Sequence, residues 1–173
     1  METESWLKYA SVRALFVLYL GLLVKIILFK FHDIGLGFLW RQLESSLHHP
    51  GRVYERLQGG NLVPLKEITR SLEVMTSHDL INVFGNVAIF IPFGILLGFM
   101  FRKNGISGIE TTLYAFVVSL GLESAQLLLA IGQFDVDDML LNTGGALLGH
   151  FLYRLSAAPP RPKAAVRTGD GAV

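Results

Sequence analysis

Long apolar runs, broken by single polar residues at helical spacing, dominate the pattern of this chain. Four stretches are apolar over about twenty residues: roughly 7–29, 80–101, 111–131 and 136–155. A hydrocarbon core of about 30 Å needs roughly 20 helical residues, so each stretch is long enough to span one. No water reaches the backbone inside a bilayer, and a helix pairs its own backbone groups within one segment. The period-2 alternation over about 10 residues that marks a membrane barrel does not occur. The pattern predicts an all-α integral membrane bundle of about four transmembrane helices, residues 1–155. A long outer loop, 30–79, separates helices one and two, and a tail, 156–173, follows.

The polar residues inside these runs fall at spacings of 3 and 4. Asp79, Asn82 and Asn86 do so on the second span, and Ser119, Glu123 and Gln126 on the third. Asp135, Asp138, Asn142, Gly145 and Gly149 do so on the fourth. Residues so spaced share one helix face. Each helix therefore carries one polar stripe on an apolar cylinder, and the three stripes lie at matching depth. An acidic side chain at mid-helix costs about 2.5–3.5 kcal/mol to insert, so it faces the bundle interior and finds a partner. The stripes predict a polar pocket in the outer half of the bundle, overhung by the long loop.

Each stripe residue also has a plainer reading. Gln126 and Glu123 can serve as interhelical hydrogen-bond glue. Asp135 stands where an N-cap is expected, and carboxylates there complement the helix dipole. Asp137 points off the stripe and is expected to be solvated. Pro92 removes a helical donor and is expected to kink the second span. The repeat Gly145-x3-Gly149 reads as close helix packing. His48, His49 and His78 read as loop residues.

Composition narrows the class further. The 173 residues are 51% hydrophobic and 17% charged, with no cysteine and a net charge of +1. Soluble domains average about 25% charged residues. Disulfides, thiolate metal sites and cysteine nucleophiles are excluded, and no basic stripe speaks for nucleic acid. No metal-ligand motif, phosphate loop or nucleophile elbow is present, so no cofactor is named. The first apolar run lacks a small-residue cleavage site and is read as a retained helix. The loop 30–79 holds six basic and six acidic residues, and its piece "IGLGFLWRQLESSL" suits an interfacial helix with Phe38, Leu39 and Trp40 at headgroup level. The tail is rich in Pro, Ala and Gly and is expected to be disordered. Lys8, Arg13, Arg102, Lys103, Arg154, Arg161, Lys163 and Arg167 fall on one side of the bundle. Both termini are therefore expected in the cytoplasm, with the chain in the cytoplasmic (inner) membrane.

Several pieces lie together in order across 61–149: "NLVPLKEI", "NVFGNVAIFIPFGILLG", "ESAQ" and "GQFDVDDMLLNTGGALLG". In these the chain resembles the VanZ-like family of small membrane proteins. The matching residues are Asn86, Pro92, Phe93, Gly94, Glu123, Gln126, Asp135, Asp138, Asn142, Gly145 and Gly149. The resemblance implies a multi-span helical protein of undefined biochemical activity. The family's named member is associated with resistance to the glycopeptide antibiotic teicoplanin. Where many relatives carry Arg or Ser in the turn, this chain has Gln133, so a basic partner for the acidic cluster is expected from Lys66 or Arg70.

Two readings of function follow. In one, Asn86, Glu123, Gln126, Asp135, Asp138 and Asn142 bind, and conceivably modify, an envelope lipid head group, a lipid-linked glycan or an amphiphilic glycopeptide antibiotic. Pro92, Gly94, Gly145 and Gly149 then only shape the site. In the other, the chain is a non-catalytic membrane scaffold whose polar stripes serve packing and partner association. The oligomeric state stays open at this level.

Overall fold

The computed structural model describes residues 2–29 and 35–157, with side chains from Tyr9 onward except Phe29. The expected disordered tail falls outside the described residues from 158 onward. Among the described residues seven helices appear in chain order: α1 (Glu2–Phe29), α2 (Leu36–His48), α3 (Pro50–Gln58), α4 (Lys66–Val74), α5 (Ser77–Met100), α6 (Gly108–Leu129) and α7 (Val136–Ser156). Among the described residues there is no strand, only a single bridge between Asn61 and Asp135. The fold is all-α. The four long helices match the four apolar runs, and the interval between the first two carries three short helices.

Local chemistry sets the helix ends. Thr76 caps α5 by accepting from the Asp79 amide at 3.2 Å. Ser107 and Glu110 form a reciprocal box at the start of α6, with bonds of 3.1 and 2.8 Å. Asp135 caps α7, accepting from the Asp137 amide at 2.8 Å. Between α5 and α6 the chain reverses through Gly105 at φ +75°, a left-handed position that glycine occupies without penalty.

The long helices alternate in direction. The C-termini of α1 and α6 and the N-termini of α5 and α7 gather at one end, with α2, α3 and α4, and this is the loop end. The other end holds the start of α1, the end of α7 and the α5–α6 turn. The core is apolar, built on Leu23, Phe90, Phe93, Leu97, Leu122 and Ala146. Its flanks are inverted relative to a water-soluble protein. Thr111, Ser119, Glu123, Gln126, Asn142 and His150 are buried, while Leu18, Ile81, Val117 and Phe151 are exposed. A polar interior under an apolar jacket is what lipid selects. Among the described residues three helices are long and apolar enough to cross a membrane: Tyr9–Leu28 in α1, α5 and α6. The fourth expected span, α7, has 21 residues and an apolar outer face of Leu148, Phe151 and Leu155. Its inward Asp137, Asn142 and His150 lower its average.

α5 and α7 pack along each other more extensively than any other pair. Small residues make this possible. A Cβ placed on Gly94 would stand 1.9 Å from the Ala146 carbonyl oxygen. One on Gly145 would stand 2.2 Å from that of Val87, and one on Gly149 2.0 Å from that of Ile91. The glycine spacing thus brings two backbones into direct contact.

Pro92 lies inside α5, and the helix runs through it from Ser77 to Met100 without a break. Proline leaves a carbonyl of the preceding turn short of its helical donor. That carbonyl is the one of Ala88, four residues before Pro92. At the next carbonyl along, the Tyr19 hydroxyl of α1 donates to Ile89 at 2.5 Å and ties α1 to α5. We expect Tyr19→Phe to cost about 1 kcal/mol, read as a drop of about 2–4 °C in the thermal midpoint of the detergent-solubilised protein. An unchanged midpoint would show that the bond contributes nothing.

Candidate functional site

At the loop end, α1, α5, α6 and α7 enclose a cleft of about 420 Å³. Its apolar wall comes from Ile26 and Ile27 of α1 and Ile81 and Ile89 of α5. Its polar wall comes from Asn82, Asn86, Glu123, Gln126, Asp138 and Asn142. Five of the six residues singled out from the sequence therefore line one cavity, and the sixth, Asp135, does not.

The polar side chains are held by specific bonds. Asn86 donates to Asp138 Oδ1 at 2.6 Å, and Asn82 approaches the same oxygen at 3.5 Å. This ties α5 to α7 across the cleft mouth. Glu123 is 1% exposed and lies six residues before the end of α6, about 9 Å deep. Its Oε2 accepts the Asp135 amide at 2.9 Å. Gln126 donates to the Ile27 carbonyl at 2.9 Å, filling one of the carbonyls left open at the end of α1. Asn142 donates to Ser119 Oγ at 2.8 Å, and its Oδ1 is buried with no hydrogen-bond partner. Exchanging the amide's oxygen and nitrogen would only move the vacancy to the nitrogen. Buried polar atoms are nearly always satisfied, so this atom stands out, and it belongs to a residue of the cleft wall.

Asp135 and Asp137 serve the architecture. Asp135 caps its own helix, and its Oδ1 also accepts from Asn61 Nδ2 at 2.8 Å. Backbone bonds join Asn61 to Phe134 at 2.9 Å and to Val136 at 3.0 Å, fastening the long loop to the α6–α7 turn. The expectation that Asp137 is solvated is overturned, because it is 1% exposed. Its carboxylate accepts from the amides of Leu65, Glu67 and Ile68, the last two at 2.7 and 3.1 Å. These are free donors at the start of α4, where the N-cap, Leu65, has no side chain that can accept. A charge borrowed from α7 takes the cap's place and meets the positive end of the α4 dipole.

The expected basic partner is corrected by the same contact. Arg70 pairs with Glu67 at 2.8 Å and reaches Asp79 at 4.0 Å. Among the described residues neither Arg70 nor Lys66 forms an ion pair with Asp135, Asp137 or Asp138. For Asp137, helix amides take the role assigned to a cation. Two loop groups also close the end of α6, where Ser46 donates to the Leu128 carbonyl at 2.6 Å and Arg56 to that of Leu127 at 3.2 Å.

Sequence reasoning missed His78, which lines the cleft from the first turn of α5. The signal was available, since His78, Asn82, Asn86 and Ile89 follow the same 4-4-3 spacing. Among the described residues no group of three or more His, Asp or Glu is arranged to hold a metal ion.

A family model described as VanZ/LLP1 matches residues 16–157, from the middle of α1 to the end of α7. The chain belongs to the VanZ/LLP1 family. It is similar to Protein VanZ of Enterococcus faecium, with 41% identity over 75 residues. That stretch covers 43% of this chain and 45% of the relative, so the match spans under half of each. No solved structure matches the chain. In this VanZ/LLP1 protein, the family match takes in every residue of the cleft wall and every contact that fastens the loop.

Proposed function

We propose that this membrane protein binds the polar head of an envelope amphiphile in the loop-end cleft, with the greasy part against the isoleucine wall. The ligand class is an envelope lipid head group, a lipid-linked glycan or an amphiphilic glycopeptide. Antibiotics of the last kind are associated with the family's named member. The supporting observation is the unsatisfied Asn142 amide oxygen in a cleft that also offers Glu123 and Asp138. A hydroxyl or amine of the ligand would donate to it, and Glu123 would accept a second hydrogen bond. The loop end faces outward in this reading, because Arg13, Arg102, Lys103 and Arg154 lie at the other end. Both termini then lie in the cytoplasm and the chain in the cytoplasmic membrane.

A second reading is favoured by the number of stripe residues engaged in internal bonds. Gln126 holds α1, Asp135 and Asp137 hold the loop, and Asn86 and Asp138 join α5 to α7. A non-catalytic scaffold would need no more.

Glu123→Gln separates the two. A glutamine oxygen can still accept the Asp135 amide, so the protein is expected to accumulate and insert normally. A hydrogen bond to a charged group is worth about 1.5–3 kcal/mol. Mass spectrometry of amphiphiles co-purified in mild detergent is therefore expected to show a loss of about tenfold or more. Unchanged co-purification, or failure of the variant to accumulate, would favour the scaffold.

A further inference from the structure

At the opposite end of the bundle lies a second cavity, of about 650 Å³, between α1 and the α5–α6 turn. It is lined by Tyr9, Ala10 and Arg13 on one side, and by Met100, Phe101, Lys103 and Asn104 on the other. We propose that this cavity binds the phosphate of an anionic phospholipid in the leaflet opposite the loop end. The proposal does not depend on the ligand of the loop-end cleft.

Two cations converge here, Arg13 and Lys103, and neither forms an ion pair among the described residues. A guanidinium and an ammonium facing one cavity suit a phosphodiester, with the guanidinium supplying paired donors and the ammonium a point charge. The Asn104 amide adds a neutral donor. A basic recess between spanning helices, level with their ends, is a common form of anionic-lipid site.

The cavity wall is also prearranged. The Lys103 ammonium lies 4.5 Å from the centroid of the Tyr9 ring, which holds it toward α1. Lys103 and Asn104 sit on a closed turn, in which the Asn104 and Gly105 amides bond the Phe101 carbonyl at 3.2 and 2.8 Å. Phe101 stacks on Tyr114 with centroids 6.2 Å apart, fixing that turn against α6. Little conformational freedom is left to lose when a phosphate arrives.

The same helix face supplies a place for an acyl chain. Val17, one turn along α1 from Arg13, is 67% exposed, and Gly21 follows one turn later with open space around it. A head group at Arg13 would lay its chain against this exposed apolar face. Free phosphate would use the cations alone, whereas a lipid would also use this apolar face.

The test is native mass spectrometry of the full-length protein in mild detergent with equal phosphatidylglycerol and phosphatidylcholine. Phosphatidylglycerol is expected to be retained several-fold over phosphatidylcholine, with the preference falling as salt rises. Arg13→Gln with Lys103→Gln is expected to reduce it by about fivefold per charge removed. Arg154→Gln, a basic residue outside the cavity, is expected to leave it unchanged. Equal retention of the two lipids, a salt-independent preference, or an equal loss in Arg154→Gln would overturn the proposal. Displacement of the retained lipid by millimolar inorganic phosphate would assign the cavity to the free anion and overturn it as well.

Discussion

Asp137→Ala is expected to free residues 61–74 from the bundle and to cost about 3–5 kcal/mol, because three amides lose hydrogen bonds to a charged group, each worth about 1.5–3 kcal/mol at most. Three amides at the start of α4 would lose the carboxylate that accepts from them. The positive end of the α4 dipole would lose its counter-charge. A nine-residue helix is too short to persist in water without tertiary support. Limited proteolysis of the detergent-solubilised variant should therefore cut between Gly60 and Met75, where the parent protein resists. The thermal midpoint should fall by about 10 °C or more. Asp137→Asn keeps one accepting oxygen and is expected to lie between the two. If Asp137→Ala resists protease like the parent, the contact does not fasten the loop.

The second large effect is expected at the α5–α7 seam. Any side chain at Gly145 or Gly149 must displace the carbonyl of Val87 or Ile91, which are backbone atoms and cannot step aside. Overpacking of a tight core costs about 1–3 kcal/mol and can exceed that. A whole leucine against backbone belongs at the upper end. We expect Gly149→Leu to abolish accumulation in the membrane. Gly144, the immediate neighbour of Gly145, has nothing within 4 Å of its Cβ position and faces outward. Gly144→Ala is expected to be harmless, or stabilising by up to about 1 kcal/mol through helix propensity. The pair is read by in-membrane expression levels and thermal stability. Normal accumulation of Gly149→Leu would show that the two helices can separate without penalty.

What the sequence made legible is local. Helix periodicity placed Asn86, Glu123, Gln126, Asp138 and Asn142 on faces that the fold turns toward one cavity. The span edges lie within a few residues of the observed helix ends, apart from the start of α1, because apolar length and capping residues are written into each segment. Gly145 and Gly149 were legible as packing residues for the same reason. The misreadings, His78 apart, concern long-range contacts. Asp137 was read as solvated because its position on α7 points away from the stripe, and its partners stand about 70 residues earlier. Asp135 was counted with the site because nothing nearby in sequence reveals that Asn61 docks on it. The helices α3 and α4 went unseen because each has nine residues and takes its stability from contacts with distant elements. His78 was left to the loop because the second span was started at residue 80, two positions past it.

The fastening of the loop also fixes an order of events during synthesis. Asn61 and Leu65 leave the ribosome before their anchors, Phe134 to Val136 and Asp137, have been made. At about 5–20 residues per second, the delay is roughly 4–15 s. Throughout that interval the segment lacks the carboxylate that later holds its helix-start amides. Insertion of α7 is thus the step that completes the molecule, and a chain truncated before it would leave the segment 61–74 without its anchors.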